Sequence, residues 1–380
     1  RRGRSLSIIG LLACGVFMVV AVGANRRDPL RQPQSRQSGT GGFALYGESS
    51  LGILYDLNTE AGRKELGLTD PELADLKAVP LRVHEGDDAS CLNLNRAQRP
   101  RLLGVSPDDF IQRGAFKFAA FSEEAAPHDV GWSLLDGESR DGVIPAIGDY
   151  PTVVWGLGKK LGDEIEYQDE QGKPFHVRIV AMLDSSILQG SLLISERQFV
   201  RKFPSVDGYQ VLLVDATSDK MEAISQKLSL GLTDLGLVLT PTWERLAAFG
   251  AVENTYLSIF TALGGLGLIL GSVGLGLVVL RNMLERRGEL AMLRAIGFER
   301  ASILRLVFYE HWGLMLGGVV CGVVAAVVAV IPALRSPARQ APYGFLATTL
   351  AAIVLSGALW VWLAGKLALQ GRLLDALRHE

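Results

Sequence analysis

The sequence offers few side-chain combinations of the kinds that catalysis or metal binding requires. Its five histidines are far apart and form neither an HExxH motif nor a site with paired cysteines. Among the three cysteines, Cys91 stands near Asp87 and Asp88, whose negative charge disfavours a reactive thiolate. We therefore expect no catalytic residue, no metal site and no cofactor in this chain.

The sequence also has no loop for the phosphates of a nucleotide. No GxxxxGK[ST] motif occurs, and the GLGKK stretch at residues 156–160 has the wrong spacing and is typical of a solvated turn. We expect the chain not to be an enzyme and not to turn over ATP by itself, so any work driven by ATP requires a partner.

Glu310 and His311 form an ionisable pair inside a long apolar run. Because charges at membrane depth are costly and often functional, one interpretation of this membrane-embedded pair is a proton or ligand relay. The pair lies about two helical turns after the start of the run, close to Arg305 and Trp312. The other interpretation is therefore an anchor at the membrane interface.

Four long apolar runs occur in the sequence, and Glu310 and His311 lie in the third. A hydrocarbon core of about 30 Å needs roughly 20 apolar residues, and we predict that each run crosses a membrane. The first run follows a basic start and resembles a secretory signal, but it is longer than the usual apolar core of one, which favours an uncleaved helix. The runs are residues 6–24, 255–280, 303–331 and 344–364.

Glycines are frequent in the second and third apolar runs, where small residues let helix backbones approach closely. Gly267 and Gly271 are four residues apart, as are Gly318 and Gly322. Glycines at this spacing lie on one face of a helix. We predict that a second helix packs closely against each pair.

Charge is distributed unevenly along the chain. Residues 26–250 contain 33 acidic and 24 basic side chains, whereas the rest contains 7 acidic and 14 basic ones. The Lys and Arg residues outside this block cluster before the first apolar run, between the second and third, and after the fourth. By the positive-inside rule these three places are cytoplasmic, so we predict that residues 25–250 are extracytoplasmic.

The acidic block has the pattern of an α+β domain of roughly 220 residues, which is enough for its own core. Short apolar runs such as VIPAI, TVVWGLG, PFHVRIVAML, SLLIS and YQVLLVD predict strands, and SERQFVRKFP and DKMEAISQKLSLGL predict helices. Residues 25–42 are rich in Gly, Ser, Gln and Pro. We expect them to form a linker with little fixed structure.

A long helix is predicted after this block. Thr240, Pro241 and Thr242 are typical of a helix start, and no proline follows until Pro332. A helix over residues 242–280 extends about 58 Å, nearly twice the hydrocarbon thickness. We predict a rod that joins the extracytoplasmic domain to the cytoplasm, in which Gly250 is a candidate hinge.

A short charged stretch, LERRGELAMLRAIGF at residues 284–298, separates the second and third apolar runs. Leu290, Leu293 and Ile296 follow one another at three-residue spacing, which predicts an amphipathic helix, and Gly297 is a candidate C-terminal cap. Arg281 and Glu285 form a favourable pair at i,i+4. The stretch is either a docking helix for a cytoplasmic partner or an ordinary charged loop.

Three features together resemble the FtsX/MacB-type permeases of ABC transporters. They are the order of one span, a large outside domain and three further spans; the motif ERRGELAMLRAIGFERASILRLVFYEHWGLMLGG at residues 285–318; and the stretch VVWGLGKKLGDEIEYQDEQGKPFHVRIVAML. The resemblance implies a permease of the bacterial cytoplasmic (inner) membrane that moves with a separate cytoplasmic ABC ATPase subunit. It also implies that the long helices carry motion to the outside domain, for export, lipoprotein release or mechanotransmission.

The resemblance implies a domain order and a coupling site as well. The order is a transmembrane helix at 1–24, the linker at 25–42, a MacB-like α+β domain at 43–241 and an FtsX-like domain at 242–380 with a stalk, three transmembrane helices and a coupling helix. The coupling residues that match the family motif are Glu285, Arg286, Arg287, Glu289, Leu290, Leu293, Arg294 and Gly297.

The same features predict further partners and leave two other classes of protein open. We expect contact with membrane lipids and with a second permease half or a homodimer partner, and no contact with nucleic acid. The chain is interpreted as the C-terminal half of a longer permease, and residues 57–127 fit the compact family pattern poorly. A membrane-anchored sensor or binding module is the alternative function, and a membrane-bound hydrolase would need a nucleophile and base that the sequence does not reveal.

Overall fold

The chain divides into two compact units, which we call the sheet unit and the bundle unit. The sheet unit is residues 28–252, and the bundle unit is residues 1–27 together with residues 253–380. The computed structural model describes residues 2–25, 34–87, 89, 97–122, 131–137, 142–334 and 343–370. Cys91, for which the sequence disfavours a reactive thiolate, lies outside the described residues.

The strands described in the sheet unit form one mixed sheet. Their order is β10-β1-β9-β2-β3-β8-β5-β7-β4, and β6 pairs with β7 on the same side as β4. The pairs β3–β8 and β5–β7 are parallel, and the other pairs are antiparallel. The strands are β1 Leu45–Ile53, β2 Lys77–His84, β3 Arg101–Val105, β4 Phe118–Phe121, β5 Ile144–Asp149, β6 Glu164–Gln168, β7 Pro174–Leu183, β8 Ser191–Ser195, β9 Tyr209–Asp215 and β10 Val238–Pro241.

Both faces of this sheet are covered, which explains why its central strands are continuously apolar. Adjacent residues of one strand belong to different cores: Leu103 packs in a cluster with Phe110 and Trp132, whereas Leu102 packs in another with Phe199. The covering helices are α2 Glu60–Glu65, α3 Pro107–Arg113, α4 Glu196–Lys202 and α5 Met221–Gly231. The predicted α+β character of this block is confirmed.

One predicted strand is wrong. The stretch TVVWGLG has the β-branched residues of a strand, but Pro151–Gly156 is a π-helix. The cause lies just before it, where the Asp149 carboxylate accepts a hydrogen bond from the backbone N–H of Thr152 at 2.9 Å. Pro151 has no N–H to contribute to a ladder, so the chain turns into a helix as soon as β5 ends.

The predicted linker is also wrong for its described part. Residues 34–42 form a series of turns in which Thr40 is fully buried and Ser38 Oγ lies 2.7 Å from Thr40 Oγ1. The Arg113 guanidinium donates to the carbonyl oxygens of Gly41 at 3.1 Å and Gly42 at 2.6 Å. Composition alone indicated flexibility, whereas the arginine and the two small hydroxyl side chains give this segment a fixed path.

The bundle unit contains long apolar helices. Within the described residues, Asn254–Glu285 and Ala301–Ile331 are long and apolar enough to cross a membrane, and Leu12–Gly23 and Ala347–Leu363 are shorter apolar helices. The two longer helices correspond to the second and third predicted spans, and the first and fourth spans stay predictions. The helices are α1 Arg2–Asn25, α6 Thr242–Glu285, α7 Arg287–Ala295, α8 Arg300–Leu334 and α9 Tyr343–Gln370.

Glycine packing is confirmed for one of the two predicted pairs. At Gly322 of α8, an added Cβ would lie only 2.6 Å from the carbonyl oxygen of Ala13 in α1, and at Gly318 it would lie 3.1 Å from Leu12 Cβ. By contrast, no atom of the described structure lies within 4 Å of a Cβ placed at Gly267. Close contact between α1 and α8 therefore depends on the later pair.

Candidate functional site

The candidate site is the short helix α7 and the two junctions that connect it to α6 and α8. Arg281 and Glu285 form the predicted ion pair at 2.9 Å in the last turn of α6. Helix α6 then ends, and Arg286 interrupts the helical backbone with φ −99° and ψ 19° before α7 begins at Arg287. A separate helix of nine residues follows, as the sequence predicts.

Gly297 ends α7 in the manner that the sequence predicts. Its φ is +108°, in a region that residues with a Cβ rarely adopt. The N–H of Gly297 donates to the carbonyl oxygen of Arg294 at 3.1 Å, and the N–H of Phe298 donates to that of Leu293 at 3.1 Å. These two bonds form a Schellman motif, so the turn before α8 has a defined geometry.

The inner face of α7 packs against its own bundle. Leu290 is 7% exposed and Ala291 is fully buried, and Leu290 belongs to a cluster that includes Met283, Ile303 and Val307. Leu290, one of the predicted coupling residues, therefore contacts its own bundle in this structure, and a role for it in coupling stays a prediction. Leu293 is partly buried and packs against the same cluster.

The outer face of α7 and the turn that follows it carry a different apolar set, which we call the outer patch. It consists of Met292, Ile296 and Phe298, which are 60%, 71% and 51% exposed. Glu289 is exposed one turn before Met292. Residues 289, 292 and 296 have the three- and four-residue spacing that places them along one side of a helix. The described structure thus leaves an apolar patch with an acidic side chain at its edge.

Arg286 connects the α6–α7 junction to α8. Its guanidinium lies 3.1 Å from a carboxylate oxygen of Glu310 and 3.4 Å from one of Glu289. The sequence indicated Arg305 as the neighbour of Glu310, but Arg305 Nε donates to the carbonyl oxygen of Ala301 at 3.4 Å. Both carboxylates are largely exposed, so these pairs orient the junction more than they stabilise it.

His311 forms a second link between α6 and α8. The side chain is 3% exposed, and its Nδ1 lies 2.9 Å from the carbonyl oxygen of Val307. Since a carbonyl can only accept, Nδ1 is the donor, and Nε2 is left to accept from the Asn282 amide at 3.4 Å. The two predicted membrane-embedded residues therefore make separate contacts: Glu310 pairs with Arg286, and His311 with Asn282.

Three residues of this site were not singled out from the sequence: Asn282, Met292 and Phe298. Asn282 had a usable signal, since an amide within an apolar run favours an internal hydrogen bond. Met292 and Phe298 had none, because helical periodicity gives two possible apolar faces and does not say which one turns inward. Arg287 lies at the start of α7, and the contacts of its side chain are outside the described structure.

The described residues form no group of three or more His, Cys, Asp or Glu side chains that could hold a metal ion. The GLGKK stretch follows the π-helix, with Gly158 at φ +65°, and Lys159 Nζ donates to the carbonyl oxygen of Glu164 at 3.2 Å. Lys159 therefore bonds to a nearby part of the chain, as expected of a turn.

Comparison with known proteins gives two similarities. Residues 261–371 match the family described as FtsX-like permease C-terminal. The periplasmic region of MacB from Actinobacillus actinomycetemcomitans is similar in structure over 60% of this chain and 98% of that chain, with 10% identity and a TM-score of 0.30. A TM-score of 0.30 at this identity assigns neither fold nor function. No curated protein matches the chain.

Proposed function

We propose that this chain is an FtsX/MacB-type permease that couples ATP hydrolysis by a separate subunit to motion of its sheet unit; the match of residues 261–371 to the FtsX-like permease C-terminal family supports this. The proposed partner is a cytoplasmic ABC ATPase. The proposed outputs are those implied by the family resemblance, namely export, lipoprotein release or mechanotransmission.

The observation that supports this proposal most is the outer patch on α7. The helix has one face buried in the bundle and the other exposed. Met292 on the exposed face, Ile296 at the C-cap and Phe298 in the following turn are exposed near acidic and basic side chains. Exposed apolar side chains at the centre of a charged rim are typical of a protein interface. A short helix held at both ends, by Arg286 and by Gly297, is suited to transmit a push from such a partner.

The proposed role of the other coupling residues is to form this rim. Glu285, Arg286, Arg287, Glu289 and Arg294 carry charges at or beside α7. Charges at the edge of an interface mainly tune association and specificity, whereas apolar anchors at its centre contribute more of the affinity. Leu290, Leu293 and Gly297 act in this proposal by holding the shape of α7.

Helix α6 supports the proposed transmission. It runs from Thr242 to Glu285 without a break, including Gly250, and its first turns belong to the sheet unit while the rest belongs to the bundle unit. A single helix with backbone hydrogen bonds throughout resists bending far more than a loop does. Motion at the α7 end is thereby proposed to reach the sheet unit.

The proposed topology has four transmembrane helices in the cytoplasmic membrane of a bacterium, with residues 25–250 extracytoplasmic. Its support is the position of the Lys and Arg residues and the apolar helices of the bundle unit. The second permease half or homodimer partner stays a prediction, and so does contact with membrane lipids.

Docking is tested by placing a charge in the outer patch. Ile296→Asp should weaken recovery of ATPase activity with the affinity-purified chain by about fivefold or more, since loss of an apolar anchor commonly costs more than about 1 kcal/mol. Leu230→Asp is the matched control, because Leu230 is 76% exposed and lies in the sheet unit. Equal recovery of ATPase with both variants would exclude the outer patch as the docking surface.

Topology is tested in a chain whose three native cysteines are replaced by alanine. A cysteine at Gln168, which is exposed in the sheet unit, should react with a membrane-impermeant thiol reagent in intact cells. A cysteine at Ala301, exposed at the start of α8, should react only after the membrane is opened. The reverse pattern would contradict the proposed orientation.

A further inference from the structure

The first turn of α6 is bonded to the start of β1. The N–H of Thr242 donates to the carbonyl oxygen of Ala44 at 3.0 Å, and Thr242 Oγ1 donates to that of Phe43 at 2.5 Å. Thr242 is 1% exposed, so these bonds are shielded from water. They fix the beginning of the helix to the residues just before β1.

Arg245, one turn further along, makes a second and different attachment. Its Nε donates to the carbonyl oxygen of Ile187 at 2.9 Å. Its guanidinium carbon also lies 3.8 Å from the centre of the Tyr46 ring in β1 and 5.3 Å from that of Phe249 in α6. A planar guanidinium can make a directed hydrogen bond and stack on a ring at the same time, which an ammonium group does less well.

The segment that Arg245 holds is the loop between β7 and β8, residues 184–190. Its Ile187 is fully buried, and the N–H of this residue donates to the carbonyl oxygen of Gly39 at 2.9 Å. Leu246 packs against the same glycine, since a Cβ at Gly39 would lie 3.0 Å from a methyl carbon of Leu246. The loop therefore connects α6 with residues 34–42, where the chain enters the sheet unit.

The other end of this loop is bonded into the sheet. Ser186 Oγ lies 3.4 Å from the buried Asp149 carboxylate at the end of β5, and the N–H of Gly190 donates to Thr152 Oγ1 at 2.8 Å. The loop is therefore bonded to β5 and the π-helix as well as to Arg245. Four parts of the sheet unit meet there: α6, β1, the loop 184–190 and residues 34–42.

We infer that Arg245 is a positioning residue that makes these four parts one joint. A load on α6 then reaches the β7–β8 loop directly, in addition to β1, to which α6 is already linked by the bonds of Thr242 and by the pairing of β10 with β1. This inference rests on the proposed function, because it assigns to Arg245 the delivery of motion that α6 carries. It goes further in naming the place at which the sheet unit takes up that motion.

The experiment uses the full chain in detergent, with whatever ATPase co-purifies with it. Arg245→Met removes the hydrogen bond and the charge but keeps an apolar stem against Tyr46. We expect hydrogen exchange of the Ile187 amide to become about tenfold faster or more, as loss of a charge-assisted bond predicts. We also expect the ATP-dependent change in exchange of the 184–190 loop to disappear while the ATPase remains bound.

Three further variants separate a joint from a general loss of stability. Arg245→Lys keeps the charge and should show an intermediate effect, and Leu246→Ala should loosen the same amide while Arg245 remains. Arg197→Met removes an arginine of the same unit whose side chain is 58% exposed, and it should change neither measurement. If Arg245→Met and Leu246→Ala unfold the sheet unit, exchange will rise throughout β9 as well, and the positioning role is then rejected in favour of a purely structural one.

The outcomes distinguish this inference from the proposed function. Unchanged exchange at Ile187 in Arg245→Met, or an ATP-dependent change in the 184–190 loop that survives the substitution, overturns the joint while the permease proposal stands. A wild-type chain that retains no ATPase activity overturns the proposed function, and the transmitting role of Arg245 with it.

Discussion

Asp149 gives the sheet unit a dependence on pH that an asparagine at this position should remove. The side chain is 1% exposed at the end of β5, where it accepts hydrogen bonds from Thr152 and Ser186. Burial raises the pKa of Asp149 from 3.8 to about 6, although these hydrogen bonds act in the opposite direction. The folded protein therefore keeps this proton at pH values where the unfolded chain has lost it.

The sign of the effect follows from this order of the two pKa values. The stabilising contribution of the protonated carboxyl is fully present below pH 3.8, and it is lost as the pH rises through about 6. The two pKa values differ by about 2, which corresponds to about 3 kcal/mol of unfolding free energy. About 2 kcal/mol of this amount is lost between pH 4 and pH 8.

The assay is denaturant unfolding of the full chain in detergent at several pH values from 4 to 8, and hydrogen exchange of β5 is the signal that monitors the unfolding. Asp149→Asn retains an oxygen that can accept from the Thr152 N–H but cannot ionise. We expect the wild type to lose about 2 kcal/mol more than Asp149→Asn over this range. Asp234→Asn, at an exposed aspartate of the same unit, is the control. A stability difference between wild type and Asp149→Asn that does not change with pH would refute this reasoning.

Two further predictions concern the bundle unit. Gly322→Ala should destabilise the packing of α1 on α8 by about 1–3 kcal/mol, because the new methyl group meets the carbonyl oxygen of Ala13. Gly317→Ala, whose methyl group meets no atom within 4 Å, should be neutral or slightly stabilising. Thermal unfolding in detergent measures both variants, and equal melting temperatures would count against the contact. Arg286→Gln and Glu310→Gln should each change the free energy of unfolding by less than about 1 kcal/mol, yet both should lower ATPase coupling. A double-mutant cycle on the ATPase activity should reveal an interaction between the two residues. Purely additive effects of the two substitutions would disprove that interaction.

The strands and helices with strong local signals could be predicted from the sequence. The runs at β8, at β9 and at the end of β7 are apolar because both faces of the sheet are covered there, and α5 begins and ends close to its predicted limits. The end of α7 was predictable too, since Gly297 is the residue type that a left-handed cap needs. In these places local preference and tertiary structure agree.

The errors have tertiary causes. The Thr-Val-Val of the π-helix favours a strand locally, but the Asp149 carboxylate turns the chain at Thr152. Residues 34–42 have the composition of a linker, but Arg113 lies more than 70 positions away and determines their path. For the candidate site, the sequence indicated an amphipathic helix but not its orientation. Leu290 lies inward because Met283 and Ile303 supply apolar neighbours from two other helices.

The pairing of β1 has a consequence for how this protein is made. Its neighbours in the sheet are β9 and β10, so that Leu45 lies opposite Val214 on one side and Pro241 on the other. A ribosome must therefore synthesise nearly the whole sheet unit before its first strand can pair. Until then the strand presents unpaired backbone groups and apolar side chains, which is the condition under which nascent chains aggregate. Biogenesis of this protein should accordingly depend on a chaperone that shields the segment around β1 until translation has passed residue 241.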